Sequence, residues 1–261
     1  MIPQPLIQRL RSLVWVAAAV IALAAADACA YTLTGGKWPQ ASLGSPVTVT
    51  YSYNNLLDGG LKGPDGVPLP ASLIRASVEE ALGLWASVAP LNFVEVPDEG
   101  RVPTLNEYLD GQFGQIRLSH LYYNGPDVPG QLPIAKAVTY FITGSGNLQG
   151  DIFFDDGDPW QKAGTIPTPD VLGAVLHELG HALGLGHTDD PTANMYWIFT
   201  RYNGPGTGAS LQPDDINGIR AVYGSGTGSV TPLPVPEPAA IVLAALGGIA
   251  IWRQSRRSAR Q

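Results

Sequence analysis

Three of the four histidines in this chain fall in one short string, and that string constrains the fold more than any other feature. It reads HELGHALGLGH and covers residues 177–187. His177 and His181 are four residues apart, so on a helix they lie on one face. Gly184 is a natural helix end, because glycine readily adopts the left-handed conformation that closes a helix. The turn there brings His187 back towards the other two histidines.

Three imidazoles that meet in this way fit Zn²⁺, which takes four ligands in tetrahedral geometry. Three protein ligands leave one position for water, and an open position is typical of a catalytic zinc site. Zinc lowers the pKa of such a water and polarises a substrate carbonyl. Glu178 follows His177 directly and is not needed as a ligand, so it can take a proton from the water and pass it to a leaving amine. The string therefore predicts a hydrolase with one catalytic zinc.

A methionine strengthens this prediction. The chain has two methionines; one starts it, and the other, Met195, lies eight residues after His187. The extended histidine motif with a downstream methionine turn is the metzincin signature. Two longer strings add to it, GDIFFDDGDPW at 150–160 and LQPDDINGIRAVYG at 211–224. Together these residues resemble the matrixins, the metzincin branch of the matrix metalloproteinases and their bacterial relatives.

The resemblance spans about residues 31–224. It implies an α/β (α+β) metzincin domain with a twisted five-stranded mixed sheet, an active-site helix and a C-terminal helix. It also implies that Trp197 to Phe199 border the pocket for the substrate side chain that follows the cut bond. Carried over residue by residue, it implies that His177, His181 and His187 are the zinc ligands. It also implies that Glu178 is the general base and that Met195 supports the metal from beneath.

Two further metal sites of matrixins fit this chain less well. A histidine of their structural zinc would fall at Phe153, which cannot bind metal, and His120 is the one histidine left over, so we predict no structural zinc. His120 is expected to be a strand histidine that faces the core or a loop. Calcium ligands of the family map to Asp155 and Asp158, and oxygen ligands suit Ca²⁺. Residues 156–159 also fit a plain turn, and both interpretations stay open.

The N-terminus has the three parts of a secretory signal peptide, which we assign to residues 1–30. Two arginines form the positive region, residues 13–26 form an uncharged apolar run, and a small-x-small cleavage site precedes Tyr31. The apolar run is short for a membrane span, and an uncleaved anchor is the alternative. Cleavage would remove Cys29, the single cysteine. We therefore predict that the enzyme is not kept latent by a cysteine, as matrixin precursors often are.

The C-terminus also has the parts of a targeting signal. Residues 225–234 are predicted to be a linker, and residues 235–261 combine a Pro-Glu-Pro string, an apolar stretch at 239–252 and an arginine-rich tail. An apolar stretch followed by arginines is a stop-transfer arrangement. This end resembles the PEP-type sorting signal of Gram-negative bacteria. The resemblance implies transient membrane insertion, cleavage by a membrane protease (exosortase) and release to the outer surface; an ordinary C-terminal anchor is the alternative.

Periodicity predicts the elements between the two ends. Alternating β-branched and apolar residues predict strands at 47–53, 93–96, 116–120, 137–142 and 151–154. Apolar residues at helical spacing predict a helix over 72–88, a second with Thr168 as its N-cap that ends at Gly184, and a third that begins near Pro213 with Asp214 and Asp215 in its first turn.

The charge distribution narrows the functional classes. The net charge is −7, and six of the fifteen basic residues lie in the two terminal segments, so the central domain is strongly acidic. An acidic domain disfavours nucleic-acid partners.

Our main hypothesis is a secreted or surface-delivered zinc endopeptidase that acts on a protein or peptide. The alternative is a non-catalytic surface or extracellular-matrix protein that retains the fold; a zinc hydrolase of non-peptide amides fits the metal but not the methionine turn.

Overall fold

The fold is given by a computed structural model, which describes residues 30–98, 113–123, 137–139, 149–160, 170–197 and 209–234. Within these residues the strands are β1 (Thr32–Leu33), β2 (Val47–Tyr53), β3 (Leu91–Glu95), β4 (Ile116–Leu121), β5 (Ala137–Thr139), β6 (Ile152–Asp155), β7 (Leu185–Gly186) and β8 (Ser229–Thr231). The helices are α1 (Ala71–Ala86), α2 (Val171–Ala182) and α3 (Pro213–Tyr223). Each helix and strand predicted from periodicity has a counterpart among them.

Six of the strands form one mixed sheet in the order β5-β6-β4-β2-β3-β8. Neighbouring strands from β6 to β8 are parallel, whereas β5 runs antiparallel to β6 at one edge. Strands β1 and β7 form a separate antiparallel pair. The predicted α/β domain with a mixed sheet is confirmed, and the sheet has one strand more than the five that the resemblance implied.

The additional strand, β8, lies inside residues 225–234, the segment predicted to be a linker. It pairs in parallel with β3 at the edge of the sheet. The N–H of Gly228 donates to the carbonyl of Ala86 at 2.7 Å, and the N–H of Leu233 donates to the carboxylate of Glu95 at 2.9 Å. Small residues are typical of linkers, but here they allow the backbone to approach α1 and β3 closely. This part of the segment therefore belongs to the folded domain.

Helix α1 supports the helix that carries the histidine motif. Each fully buried large apolar side chain contributes about 1.5–3 kcal/mol to the stability of the fold. The buried face of α1 therefore holds this helix firmly against the sheet and α2. Trp85 of α1 also donates its indole N–H to the carbonyl of Leu176 in α2 at 3.1 Å. The buried face has the helical spacing that the sequence predicted and includes Ile74, Val78, Ala81, Leu82 and Trp85.

Helix α2 lies in the interior, and all twelve of its residues are buried. The prediction of Thr168 as its N-cap is wrong, because the helix begins at Val171 and is capped by Asp170. The Asp170 carboxylate accepts the N–H of Gly173 at 2.7 Å. A carboxylate at this position satisfies a free N–H and complements the positive end of the helix, which a more distant threonine cannot do. Thr168 itself lies outside the described residues.

The beginning of the domain is held against α3. One carboxylate oxygen of Asp214 accepts the N–H groups of Ala30 at 2.8 Å and Tyr31 at 2.9 Å. The residues on both sides of the predicted signal-peptide cleavage point therefore contact the first turn of α3.

The two targeting segments, predicted at 1–30 and 235–261, fall outside the described residues except for Ala30. The structure shows no helix with the length and apolar character needed to cross a membrane in the portion of the chain that it describes.

Candidate metal centre and active site

The three clustered histidines direct one ring nitrogen each to a common position. The Nε2 atom of His177 lies 3.1 Å from that of His181 and 3.2 Å from that of His187, and the last two are 3.1 Å apart. Nitrogen atoms bound at about 2.0–2.1 Å to a tetrahedral zinc lie about 3.3 Å from one another, so a zinc ion fits this triangle. In the described part of the chain, this is the one group of three or more His, Cys, Asp or Glu residues whose ligand atoms converge.

The second ring nitrogen of two of these histidines faces the backbone. His177 Nδ1 donates to the carbonyl of Asn194 at 2.6 Å, and His181 Nδ1 donates to the carbonyl of Leu185 at 2.8 Å. A carbonyl oxygen can only accept, so Nδ1 carries the hydrogen and the lone pair lies on Nε2. Burial lowers the pKa of all three histidines. The neighbouring His177 lowers it further in the other two, and the pKa of His181 falls to about 3. All three imidazoles are therefore neutral at pH 7, which is the form that binds metal.

A glycine brings the third histidine into the group. Gly184 has φ +102°, a left-handed conformation that glycine adopts without strain. A Cβ at this position would also collide with the carbonyl oxygen of Gly36. The chain then pairs as β7 with β1, and the Thr32 hydroxyl donates to the carbonyl of His187 at 2.5 Å. The predicted helix end at Gly184 is confirmed.

Met195 lies directly under the motif helix. It is buried, and a Cβ on Gly180 would collide with its sulfur atom. The N–H of Thr188 donates to the carbonyl of Met195 at 3.0 Å, which links the methionine turn to the residue after His187. The methionine turn thus packs against α2 one residue before His181.

Asp215 holds this turn in place, in addition to its predicted position in the first turn of α3. One of its carboxylate oxygens accepts the backbone N–H of Asn194 at 2.9 Å and the Asn194 side-chain amide at 2.8 Å. The other oxygen accepts the N–H of Met195 at 3.0 Å. Because the Asn194 carbonyl in turn accepts from His177, two hydrogen bonds connect Asp215 with a candidate metal ligand.

Glu178 extends from the same helix into a buried position between α2 and the sheet edge. Its side-chain oxygen Oε2 accepts the hydroxyl of Thr139 in β5 at 2.6 Å. Burial raises the pKa of Glu178 to about 7, and the hydrogen bond from Thr139 opposes that shift. A carboxyl group with this pKa can both accept and release a proton near neutral pH. The sequence did not indicate Thr139, because nothing local distinguishes it from other strand threonines.

The residues predicted to line the substrate pocket are only partly described. Trp197 is 52% exposed, and its ring lies 5.7 Å from that of Tyr196. Trp197 directly follows the methionine turn on the surface of the domain. Phe199 falls outside the described residues, so its place beside the pocket stays a prediction.

The predicted calcium ligands, Asp155 and Asp158, are both buried. One carboxylate oxygen of Asp155 accepts the N–H groups of Gly157 at 2.8 Å and Tyr123 at 3.0 Å. This carboxylate therefore stabilises the turn that the sequence offered as the alternative. Calcium at Asp155 and Asp158 stays a prediction.

His120, the remaining histidine, lies near the end of β4 beside two carboxylates. Its Nδ1 lies 2.7 Å from Asp156 and its Nε2 lies 2.9 Å from Asp58. Gly60 packs on the ring so closely that a Cβ would collide with it. Phe153, which occupies the position of a structural-zinc histidine in the resemblance, is a buried residue of β6. His120 therefore joins a loop to the turn after β6.

Comparisons with known proteins match two parts of this chain. The matrixin family profile matches residues 62–224, and a PEP-CTERM protein-sorting motif matches residues 234–257. Human stromelysin-3 is 31% identical over 77% of this chain and 34% of its own length. Rabbit (Oryctolagus cuniculus) interstitial collagenase is 31% identical over 81% of this chain and 38% of its own length. Human matrilysin is 33% identical over 62% of this chain and 54% of its own length. The chain thus spans about a third to a half of the curated relatives that it matches.

Proposed function

Because the chain belongs to the matrixin family, we propose that it is a zinc endopeptidase that hydrolyses peptide bonds with Glu178 as its general base. The observation that carries this proposal is the convergence of three Nε2 atoms at the helix that also carries the buried Glu178. His177, His181 and His187 would hold the zinc. The backbone carbonyls that accept from Nδ1 of His177 and His181 fix the orientation of these two rings before a metal binds, as the hydrogen-bonding partners of catalytic metal ligands do.

Bound at these histidines, zinc would polarise the scissile carbonyl and lower the pKa of a water. Glu178 would take the proton of the attacking water as the water oxygen bonds to the carbonyl carbon. It would then give that proton to the amide nitrogen as the carbon–nitrogen bond breaks. Since burial raises the pKa of Glu178 to about 7, the side chain can hold the proton between these two steps at neutral pH.

The substrate we propose is a protein or peptide in extended conformation. Strand β5 ends the strand order on its side of the sheet, and its Thr139 contacts Glu178. An extended peptide that pairs with the outer edge of β5 would place its carbonyl groups beside the histidines. Trp197, exposed after the methionine turn, and Phe199 would border the pocket for the residue after the cut bond.

We also propose that the enzyme is exported and reaches the cell surface. The sorting motif at 234–257 supports this proposal, together with the predicted signal peptide at 1–30. An exosortase-type protease would remove the C-terminal segment after its transient insertion in the membrane. If this is so, Glu237→Ala in the Pro-Glu-Pro string leaves the protein in the membrane fraction, whereas the parent is released; equal release of the two would contradict it.

Cleavage of unfolded casein by the purified, zinc-loaded protein tests the proposed activity. Glu178→Gln preserves the shape of the side chain but not its basicity, so we expect about a 10²–10⁴-fold loss of rate. Glu79→Gln on α1 is the matched control and should cleave like the parent. Zinc content should be one ion per chain in all three proteins.

Two results would overturn this assignment. Cleavage that survives Glu178→Gln would exclude Glu178 as the base. One zinc ion per chain without cleavage of casein or other proteins would favour the alternative, a non-catalytic surface or matrix protein with the metalloprotease fold.

We also propose calcium at Asp155 and Asp158. Emission spectrometry of the same samples measures calcium, and its absence after dialysis against calcium-containing buffer would exclude this site.

A further inference from the structure

A hydroxyl from the opposite wall of the site contacts the carboxylate of Glu178. Thr139 Oγ1 lies 2.6 Å from Oε2 and 3.1 Å from the backbone carbonyl oxygen of the same glutamate. A hydroxyl has one hydrogen to donate, and about 2.5–2.7 Å is the usual length of a hydrogen bond from a hydroxyl to a carboxylate. The shorter of the two contacts therefore takes the hydrogen, and Oε2 accepts it.

Strand β5 fixes this hydroxyl independently of the motif helix. Thr139 pairs with Ile152 of β6 in the antiparallel ladder, and its side chain is 9% exposed. Ala137, two residues earlier and also buried, lies on the same face of the strand. A β-branched side chain in a strand has a restricted χ1 angle, so the direction of the Thr139 hydroxyl is set by the sheet.

We propose that Thr139 is a positioning residue for the general base: its hydroxyl holds Oε2 of Glu178 and leaves Oε1 to take and return the proton. This inference rests on the proposed function. The three side-chain torsions of a glutamate would otherwise let its carboxylate rotate, because Thr139 is its one hydrogen-bonding partner among the residues that the structure describes. Ordering this group before the reaction removes an entropic cost from the proton transfer.

In the proposed reaction, the Glu178 carboxylate takes up one proton and later releases it. The O–H bond of the attacking water breaks and its proton bonds to Oε1, while the water oxygen bonds to the carbonyl carbon. The negative charge on Glu178 is neutralised, and Oε2 keeps the hydrogen bond from Thr139 as a carbonyl-type acceptor. When the amide carbon–nitrogen bond breaks, the proton moves from Oε1 to the leaving nitrogen and the carboxylate is restored.

Thr139→Val removes the hydroxyl and preserves the volume and branching of the side chain. Because one hydrogen bond to a charged group is lost, we expect kcat to fall about tenfold. KM should stay within about twofold and the zinc content should stay at one ion per chain, since the histidines are untouched. Thr139→Ser retains the hydroxyl and should restore kcat to within about threefold of the parent.

Thr50→Val is the matched control. It also removes a hydrogen-bonded strand hydroxyl, which accepts the N–H of Gln115 at 2.9 Å, but Thr50 lies in β2, three strands away from β5. It should lower the thermal midpoint without changing kcat.

A double-mutant cycle gives the sharpest test of the mechanism. A residue that acts only through Glu178 has nothing left to act on in the Glu178→Gln background, so Thr139→Val should not lower the residual kcat further there.

Four results separate this inference from the proposed function. A parent protein that binds zinc but cleaves nothing overturns both. A parent that cleaves while Thr139→Val matches it in kcat overturns the positioning role alone. A loss in Thr139→Val that Thr139→Ser does not restore, or that persists in the Glu178→Gln background, assigns Thr139 to packing and overturns it as well. Loss in the valine variant, recovery in the serine variant and no additional loss in the double variant support it.

Discussion

The chain has two histidine sites that differ in what their ring nitrogens face. In the cluster at 177–187, the Nδ1 atoms of His177 and His181 donate to backbone carbonyls, and the three Nε2 atoms converge at 3.1–3.2 Å. At His120, one nitrogen faces Asp156 at 2.7 Å and the other faces Asp58 at 2.9 Å. Both ring nitrogens of His120 thus face carboxylate oxygens from other parts of the chain, and neither points at another histidine nitrogen. The partners of a histidine, more than its residue type, therefore decide whether it can be a ligand.

The two sites also differ in how they are built. Two of the three clustered histidines, His177 and His181, lie on a helix whose residues are all buried, and the orientation of their rings depends on backbone carbonyls that cannot move independently. The His120 site depends on long-range side-chain pairs, and the Asp58 side chain is 59% exposed. Exposed ion pairs contribute little to stability, since solvent screens them. The cluster is thus suited to hold a metal, and His120 to join a loop to the sheet.

The largest effect expected from this contrast is on metal binding. His181→Ala removes one of three converging nitrogens, and we expect the zinc content to fall from one ion per chain to none, with all peptidase activity lost. His120→Ala should keep one zinc per chain and lower only the thermal midpoint. Metal analysis after gel filtration measures both. Zinc lost from the His120 variant, or kept by the His181 variant, would remove the distinction between the two sites.

A second effect should appear when the metal-free protein is acidified. Burial lowers the pKa of His181 to about 3 from its ordinary value of 6.5, so between these values the unfolded chain binds more protons than the folded one. The free energy of unfolding should therefore decrease as the pH falls from about 6.5 to about 3, with a slope of up to about 1.4 kcal/mol per pH unit from this residue.

The variant His181→Leu isolates this contribution. The raised pKa of Glu178 acts in the opposite direction, because it makes the folded state bind the additional proton, but Glu178 is present in both proteins. Urea unfolding of metal-free parent and variant between pH 4 and 6.5 measures the two slopes. A shallower slope in the variant is expected; identical slopes would mean that His181 titrates normally in the folded protein.

A smaller effect is expected one layer away from the cluster. Asp215→Asn weakens the support of the methionine turn and, through Asn194, the orientation of His177. Loss of a supporting group of this kind costs about 10–100-fold in metal affinity. Asp214→Asn is the neighbouring control, since Asp214 binds the N-terminal segment instead, and it should keep the parent affinity. Competition with a chromophoric chelator measures the affinities, and equal values for both variants would show that Asp215 acts only on folding.

The smallest effect is expected at the exposed side of His120. Asp58→Asn removes a charge that is mostly in solvent, so the free energy of unfolding should change by less than about 1 kcal/mol. Zinc content and activity should equal those of the parent. Chemical denaturation measures the change, and a loss well above this value would show that the His120 site is a more important structural element than its exposure indicates.

The elements of the site that are close in the chain could be predicted from the sequence. The histidine string, Gly184 and Met195 lie within nineteen residues of one another, from 177 to 195. Helix geometry pairs His177 with His181, and the metzincin motif indicated Met195. The strands and helices followed from the alternation and spacing of apolar residues in the same way. The strands and helices depend on periodicity, which a single sequence displays directly.

Contacts between distant residues could not be predicted. Thr139 meets Glu178 across 39 positions of the sequence, and Asp58 meets His120 across 62. Which strand threonine reaches the base depends on the strand order, with β5 at the sheet edge beside α2. Strand β8 was missed for a related reason. Its glycine- and serine-rich surroundings are typical of a linker, and only the uncovered edge of β3 gives it a pairing partner.

Zinc-edge X-ray absorption of the purified protein would identify the ligands of the metal. We expect one zinc ion with three imidazole ligands at about 2.0–2.1 Å and one oxygen ligand. That result would exclude His120 from the site and leave one position for water or substrate. A spectrum with four imidazoles, or a protein that binds no zinc at neutral pH, would contradict it.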